Sequence, residues 1–324
     1  MAHFGLTKTI DAHHLVGIVN LSPNRPVFLM TATDNSHVVI KQEIAVHGSD
    51  GQNMKYALKA IKTVSPAAAG KPLTLAEIQV LQDHVDVYDY IATATLRALD
   101  ADTAYLKQLL AAGGLWFKMD KADGITNIEA AKVRAAAGDK SGVRAIAAAL
   151  SAPDGLEALG RIIAADLWSG NNDRFAPSGS DKPGYRVCQN PENVLLSIQG
   201  TLKPIGLDAY EAMGAYRNYN ANIEDIEGID FWGGRLLAPT ERVALKDFCK
   251  QAIADIEDTL GPRNRRGLGR LGRSSRLPAD AANRLQHGII AGALPIKAKM
   301  RQLAGRPNAP AGLINRLTIL GWWP

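Results

Sequence analysis

A chain of 324 residues with 46% hydrophobic content can bury a sizeable core, as one two-lobed domain or as two small domains. No apolar stretch approaches the roughly 20 residues that cross a bilayer, and the first 22 residues lack the pattern of a secretion signal. Cys188 and Cys249 exclude a disulfide framework and lack metal-site spacing. The chain is expected to be soluble and cytoplasmic, or exported without a cleavable signal, and its net charge of +5 is modest.

Three β-rich runs dominate the first part of the chain: Leu15–Ser22, Pro26–Thr33 and His37–Ile44. Their composition predicts three strands joined by short turns. Lys41 closes the apolar part of the third run, as in the Val-Ala-Ile-Lys strand that places a cation against nucleotide phosphates. A lysine there is otherwise a solvated edge charge.

A phosphate-binding lysine normally pairs with a carboxylate, and two candidates follow Lys41. Glu77 lies on the first strong helix, predicted over Thr74–Asp83, but it also stands three residues after Thr74 and could complete a capping box. Glu43 shares a strand face with Lys41, because positions two apart point to the same side. The sequence leaves both partners open.

The run Gly113–Asp120 predicts a short strand, and Lys121–Gly124 predicts the turn after it. Met119, near the end of this strand, is the expected hinge residue against a nucleotide base. Alanine-rich residues follow over Glu129–Ser151, where Gly138–Gly142 should divide two helices.

A helix over Pro153–Gly170 is predicted from four leucine and isoleucine residues at helical spacing: Leu156, Leu159, Ile163 and Leu167. Asp154 is the expected N-cap, Glu157 should answer it, and Gly170 should end the helix. The polar run Asn171–Arg174 would then sit on a rigid support. Alone, this run also fits an ordinary polar turn.

Downstream, Asn193–Ile198 and Leu202–Asp208 predict an antiparallel hairpin around a Gly200-Thr201 turn. A two-residue turn places Asn193 directly opposite Asp208, with Cα atoms roughly 4.5 to 5.5 Å apart. One cation could then bind both side chains. The alternative is a surface hairpin with polar ends.

Asp173, Asn193 and Asp208 together supply the groups that phosphoryl transfer requires. A carboxylate orients the attacking hydroxyl, and an amide and a carboxylate oxygen hold Mg²⁺ against ATP. Asp173 is therefore the expected catalytic residue, and Asn193 and Asp208 are the expected metal ligands. One element departs from this scheme, because the turn Leu21–Pro26 contains no glycine to cover the phosphates.

The C-terminal third is predicted to be mainly helical, with a helix over Thr240–Leu260 and further helices over Ala279–Leu303, interrupted near Pro295. The tail Leu320–Pro324 is apolar enough to pack on the second lobe or into a partner groove. The loop at residues 261–278 carries six arginines between Arg263 and Arg276. It should contact an anionic partner or serve as an exposed linker.

The runs Asn172–Pro177, Asn190–Leu196 and Leu207-Asp208 lie within residues 156 to 210. This part of the chain resembles the catalytic core of the actin-fragmin kinase family, an atypical branch of the protein-kinase-like fold. In ordinary protein kinases the catalytic Asp and the metal-binding Asn are five residues apart. Here 20 positions separate Asp173 from Asn193. The intervening residues resemble the longer insertion of the actin-fragmin type, or indicate a degenerate site.

The resemblance implies an α+β, two-lobed kinase-like fold. The small antiparallel-sheet lobe would cover residues 1–120 and the larger, mainly helical lobe residues 121–324. ATP and Mg²⁺ would bind in the cleft, Lys41, Glu77 and Met119 would contribute to nucleotide binding, and Lys41 would contact the phosphates. The expected activity is that of a serine/threonine protein kinase, with actin as one implied substrate and a host-directed bacterial effector as one setting. Alternatives are a small-molecule or lipid kinase, a nucleotidyl transferase, or an inactive kinase-like binding protein.

Overall fold

The computed structural model describes residues 2–22, 25–44, 50–66, 70–122, 124–171, 173–176, 186–188, 190–197, 202–207, 232–261 and 277–324. Asp208, the Gly200-Thr201 turn and the arginine-rich loop from Arg263 to Arg276 lie outside these residues. The chain forms two compact units. The first comprises Met1–Lys55 and Ala69–Lys121, and the second comprises Tyr56–Ala68 and Ala122–Pro324. The segment Tyr56–Ala68, assigned to the smaller lobe from sequence, therefore packs in the second unit.

The first unit contains a five-stranded antiparallel sheet. Its strands, in spatial order, are β1 (Leu15–Asn20), β2 (Val27–Ala32), β3 (His37–Glu43), β5 (Leu115–Met119) and β4 (Lys71–Pro72). Two helices accompany the sheet: α2 (Leu75–Ala94) and α3 (Ala101–Ala112). Helix α1 (Asp50–Val64) precedes them in the chain and passes into the second unit.

Alternation along β2 explains how this sheet forms. Phe28, Met30 and Ala32 are buried, while the residues between them are partly exposed, as the two-residue period of a strand requires. Together with Ile40 and Trp116 they belong to the core of the first unit. The predicted first three strands and the strand near residue 117 are therefore confirmed.

The second unit is mainly helical. Its helices are α4 (Ile128–Ala136), α5 (Ser141–Ser151), α6 (Gly155–Ser169), α7 (Trp232–Arg235), α8 (Arg242–Leu260), α9 (Ala281–Ala304) and α10 (Ala311–Ile319). A small antiparallel sheet is formed by β6 (Ile125–Asn127), β7 (Leu195–Ser197) and β8 (Lys203–Ile205), in that order. Helices with small antiparallel sheets make this a mixed α+β protein, as the sequence predicts. Within the described residues, no helix is long and apolar enough to cross a membrane.

Two local predictions about the helices are wrong. Asp154 occupies the N-cap position of α6, but its side chain makes no capping hydrogen bond, and Glu157 instead contacts His287 of α9 at 3.2 Å. Pro295 does not interrupt α9. It lies on the exposed side, where water can bond the carbonyl that proline leaves without a donor, and Ile296 and Met300 keep the following turn buried.

Close packing of α6 on α9 forms the centre of the second unit. Gly160, Gly288 and Gly292 lie at the crossing, where the two backbones approach too closely for a Cβ atom. The apolar tail packs nearby: the Trp322 ring stacks on Trp168 with centroids 5.7 Å apart. The expected packing of the tail on the second unit is therefore confirmed.

We predict that Gly288→Ala destabilises the second unit by about 1–3 kcal/mol, the usual cost of overpacking. The added Cβ would lie 2.3 Å from the Glu157 carbonyl oxygen. Denaturant unfolding followed by tryptophan fluorescence measures the change. Gly305→Ala is the control, because its Cβ would meet no atom closer than 3.6 Å. Equal stability of the two variants would contradict the close approach.

Candidate active site

Helix α6 is buried and leads directly into the polar loop that contains Asp173. Gly170 ends the helix in the left-handed conformation, with φ of 73°, as the sequence predicts. The Asn171 backbone N–H then donates to the Asp166 carbonyl at 3.0 Å. The loop that contains Asp173 therefore begins from a closed helix end rather than from an open coil.

A buried ion pair fixes this loop to the helix. Arg174 donates from Nε to Oδ2 of Asp166 at 2.8 Å, and from one terminal nitrogen to Oδ1 at 2.9 Å. Asn171 donates a third hydrogen bond to the same carboxylate at 3.1 Å. Burial raises the pKa of Asp166, and the guanidinium of Arg174 opposes that shift. The paired, ionised state is favoured by this planar two-bond contact.

Arg174 also holds the two strands of the neighbouring hairpin. Its remaining terminal nitrogen donates to the Asn193 carbonyl at 3.2 Å and to the Leu207 carbonyl. One buried guanidinium therefore links the end of α6 to the entry of β7 and the exit of β8. Gly206 also fits closely at this point, because a Cβ there would lie 2.6 Å from the Ile61 side chain.

The hairpin itself is confirmed, but its register is not the predicted one. Leu195 pairs with Ile205 and Ser197 with Lys203, which is a shift of one residue from the expected pairing. Asn193 itself ends a 3-10 helix, Pro191–Asn193, and lies before the paired part of β7 rather than in a strand. A one-residue slip of this kind exchanges the two faces of a strand. The argument from register that pairs Asn193 with Asp208 is therefore wrong, and Asp208 lies outside the described residues.

Asp173 lies at the centre of a set of amide side chains and is partly exposed. Its Oδ1 accepts a hydrogen bond from Asn190 at 3.1 Å, and its Oδ2 accepts one from Asn193. Its backbone N–H donates to the Asn171 side chain at 3.1 Å. The carboxylate is thus oriented from both oxygens, and the structure brings Asp173 and Asn193 together as predicted.

Asn193 has an orientation compatible with binding a cation. Its NH₂ group faces Asp173, so the other end of the amide is an acceptor oxygen. Among the described residues, no donor to that oxygen is found. The same residues contain no cluster of three or more His, Cys, Asp or Glu side chains that could hold a metal ion. An amide oxygen with a neighbouring carboxylate is the oxygen-only donor chemistry that Mg²⁺ favours.

Lys41 lies on β3 of the first unit and is buried. Its ammonium group forms an ion pair with Glu43 and lies 5.7 Å from the centre of the Phe117 ring. Of the two carboxylates left open by the sequence, Glu43 is therefore a partner of Lys41. Met119, at the end of β5, pairs with Val39 and is buried.

Glu77 pairs with Lys118 of β5 rather than with Lys41. It also completes a capping box with Thr74 and accepts a hydrogen bond from the Ile10 backbone N–H at 3.2 Å. Burial disfavours the carboxylate, but the hydrogen bonds from Lys118, Thr74 and Ile10 outweigh it and lower the pKa of Glu77. The capping role predicted for Glu77 is confirmed.

Sequence reasoning missed the two residues that hold these sites in place, Asp166 and Lys118. Each is a charged residue inside an apolar stretch: Asp166 follows two alanines and precedes Leu167, and Lys118 lies between Phe117 and Met119. A charge that cannot reach water requires a partner, so this pattern predicts a buried ion pair. It does not identify the partner, which the tertiary fold selects.

We predict that Arg174→Met destabilises the second unit by about 3–5 kcal/mol, because Asp166 would remain buried without its cation. Denaturant unfolding measures the loss. Arg301→Met, an exposed site on α9, should change stability by less than about 0.5 kcal/mol. Similar losses in both variants would show that the Asp166–Arg174 pair has no special structural role.

We also predict that stability of the first unit falls as pH drops below the ordinary Glu pKa of 4.5, in part through Glu77. The folded-state pKa of Glu77 is lowered, so its contribution is full above the unfolded pKa and is lost as pH falls through the folded pKa. Glu77→Gln should lower stability at pH 7 and flatten this decline. Hydrogen exchange of peptides from α2 and β5 at pH 7 and pH 4 tests both effects. An unchanged pH dependence in Glu77→Gln would exclude Glu77 as a contributor.

The chain matches no protein-family profile, no curated protein and no solved structure. The resemblance to actin-fragmin kinases therefore stays a prediction based on the residues quoted for it.

Proposed function

We propose that this protein is an ATP- and Mg²⁺-dependent phosphotransferase that acts on a serine or threonine hydroxyl of a protein substrate. The observation that carries this proposal is the placement of Asp173. Its carboxylate is oriented by Asn190 and Asn193, on a loop anchored by the buried Asp166–Arg174 pair. The five-stranded antiparallel sheet of the first unit and the mainly helical second unit support a kinase-like fold.

Asp173 would act by orienting the attacking hydroxyl. Each of its oxygens accepts an amide hydrogen bond, which fixes the plane of the carboxylate and so the direction from which a substrate O–H would approach it. Phosphoryl transfer passes through a loose transition state in which positioning contributes more than early proton removal. The hydroxyl proton would pass to Asp173 as the new oxygen–phosphorus bond forms and the bond to the leaving nucleotide breaks.

Asn193 and Asp208 would hold Mg²⁺. A bound Mg²⁺ ion neutralises charge on the nucleotide phosphates and orients them. The orientation of Asn193 supports its part in this role, because its NH₂ group is used by Asp173 and its amide oxygen remains for a cation. Asp208 follows Leu207, whose carbonyl is held by the same arginine that holds the Asn193 carbonyl.

Lys41 would contact the nucleotide phosphates, with Glu43 orienting its ammonium group. A buried lysine on a strand, paired with a carboxylate, has lost most of its rotamer freedom and can present its charge in one position. Met119 would lie against the nucleotide base. The turn after β1 contains no glycine. Side chains such as Ser22 or Arg25 would therefore contact the phosphates in place of a glycine-rich backbone.

We predict that the protein transfers labelled phosphate from ATP to a component of a eukaryotic lysate in the presence of Mg²⁺. Asp173→Ala should lower the rate by about 10²- to 10⁴-fold, the usual contribution of a positioned base. Asp154→Ala is the matched control, because Asp154 is exposed and its side chain caps no helix. Asp208→Asn should abolish transfer and weaken Mg²⁺-dependent nucleotide binding.

The reaction products distinguish a protein kinase from a nucleotidyl transferase and from a lipid or small-molecule kinase. Intact-mass measurement distinguishes addition of a phosphate from addition of an adenylate, and labelled lipid or small molecules would indicate a different acceptor class. An undiminished rate in Asp173→Ala would exclude Asp173 as the catalytic base. If labelled ATP is neither bound nor consumed by a protein whose unfolding is cooperative, the phosphotransferase proposal fails.

A further inference from the structure

One fully buried arginine joins α10 to the end of α6. Arg316 lies on α10, and one of its terminal nitrogens donates a hydrogen bond to the Trp168 carbonyl at 2.6 Å, across 148 positions of sequence. Its guanidinium also lies 5.4 Å from the centre of the Trp168 ring. Arginine is rarely buried completely unless other groups satisfy its charge, so these two contacts offset part of the cost of burial.

The contact falls on the last turn of α6, where helical hydrogen bonding ends. The last four carbonyls of a helix have no donor within the helix, and Trp168 is the penultimate residue of α6. Its carbonyl also lies at the negative end of the helix dipole, where a cation is favourable. Burial lowers the pKa of Arg316 to about 9, which leaves the guanidinium charged at neutral pH. Arg316 is therefore a charged cap on the C-terminal end of α6.

The same turn of α6 supports the loop that contains Asp173. The Asp166 carboxylate accepts hydrogen bonds from Arg174 and Asn171, and its carbonyl accepts one from the Asn171 backbone N–H. The Asn171 side chain in turn accepts a hydrogen bond from the Asp173 backbone N–H. Asp166 and Trp168 are two positions apart on the helix. Fraying of this turn would therefore displace Asp166 and the hydrogen bonds that orient the loop.

A second residue of the C-terminal segment contacts the same tryptophan. The Trp322 ring lies parallel to the fully buried Trp168 ring, with an angle of 5° between their planes. The Trp322 backbone N–H donates to the Leu317 carbonyl at 2.7 Å, which fastens the tail to α10. The helix α10 and the tail after it therefore pack as one piece on the last turn of α6.

Apolar packing alone would not select arginine at position 316. Arg316 lies three residues after Leu313, and Leu317 lies four after it, so all three share one buried face of α10. A methionine would fill similar space without a charge to bury. Arginine adds a hydrogen-bond donor, and a carbonyl of α6 accepts from it. The chemical difference between arginine and an apolar residue is thus a bond to the helix that supports Asp173.

We propose that Arg316 is a positioning residue for the catalytic loop, because it holds the last turn of α6 and thereby the orientation of the Asp173 carboxylate. The catalytic consequence rests on the proposed phosphotransferase function, whereas the effect on the loop can be measured without it. The nucleotide contacts proposed for Lys41 and Met119 belong to the first unit. Loss of Arg316 should therefore lower kcat and leave KM for ATP unchanged.

Three variants of the full chain test the catalytic consequence. Arg316→Met removes the donor and the charge, and Arg316→Lys keeps a charge on a shorter side chain. Leu313→Ala is the matched control, because it removes buried volume from the same helix and leaves the guanidinium in place.

Varying labelled ATP in the eukaryotic lysate assay gives the maximal transfer rate and KM for ATP. We expect the rate to fall by about 10- to 100-fold in Arg316→Met, by less in Arg316→Lys, and by less than about twofold in Leu313→Ala. KM for ATP should stay within about twofold in all three variants.

Hydrogen exchange supplies a readout that needs no catalytic activity. The backbone N–H groups of Asn171 and Asp173 are both hydrogen-bonded while the loop is held. In Arg316→Met, exchange of the peptide that contains them should accelerate at least about tenfold more than exchange of peptides from α8. In Leu313→Ala, the loop and α8 should change by similar factors, because only global stability is lowered.

Several outcomes would overturn the positioning role. These are unchanged loop exchange in Arg316→Met, equal effects of Arg316→Met and Leu313→Ala on the loop and the rate, or a raised KM for ATP with an unchanged rate. If Arg316→Met does not fold, Arg316→Lys carries the test, and loop exchange equal to that of the unmodified chain would then refute the role. An unmodified chain that transfers no phosphate would refute the proposed function instead, whatever the exchange result.

Discussion

The buried contact between Asp166 and Arg174 fixes the arrangement of the second unit around Asp173. A carboxylate on an apolar helix is unstable without a partner, and a guanidinium satisfies it with two parallel hydrogen bonds. The same guanidinium has further donors, which hold the carbonyls of Asn193 and Leu207. One interaction therefore sets the positions of a helix end, a loop and a hairpin, and Asp173 lies beside Arg174 in the sequence.

The first unit uses a similar device. Glu77 on α2 and Lys118 on β5 form a buried pair that also contacts the backbone of the N-terminal segment at Lys8 and Ile10. In both units the paired charged residues occupy buried positions that an apolar side chain could also fill. Buried pairs of this kind add little net stability. They destabilise any arrangement that separates the two residues, because a buried charge without its partner is strongly disfavoured.

Charged residues are distributed unevenly along the chain. Three acidic residues of α2 are paired within the first unit, Glu77 with Lys118 and Asp86 and Asp89 with Lys107. The chain as a whole is basic and carries six arginines between residues 261 and 276. The catalytic role proposed for Asp173 requires only a small number of well-placed polar groups around its carboxylate.

Local rules in the sequence determined the secondary structure. Runs of β-favouring residues predicted the strands, helical spacing predicted α6, glycine predicted its end, and the capping box at Thr74 was visible from Glu77. The side chains that phosphoryl transfer requires grouped Asp173 and Asn193 in one candidate site. Tertiary structure decided the rest: which carboxylate Lys41 contacts, the partners of Asp166 and Lys118, and the hairpin register. The physical reason is that a buried charge selects its partner, and a strand selects its register, through contacts between residues distant in the chain, which local periodicity and propensity do not encode.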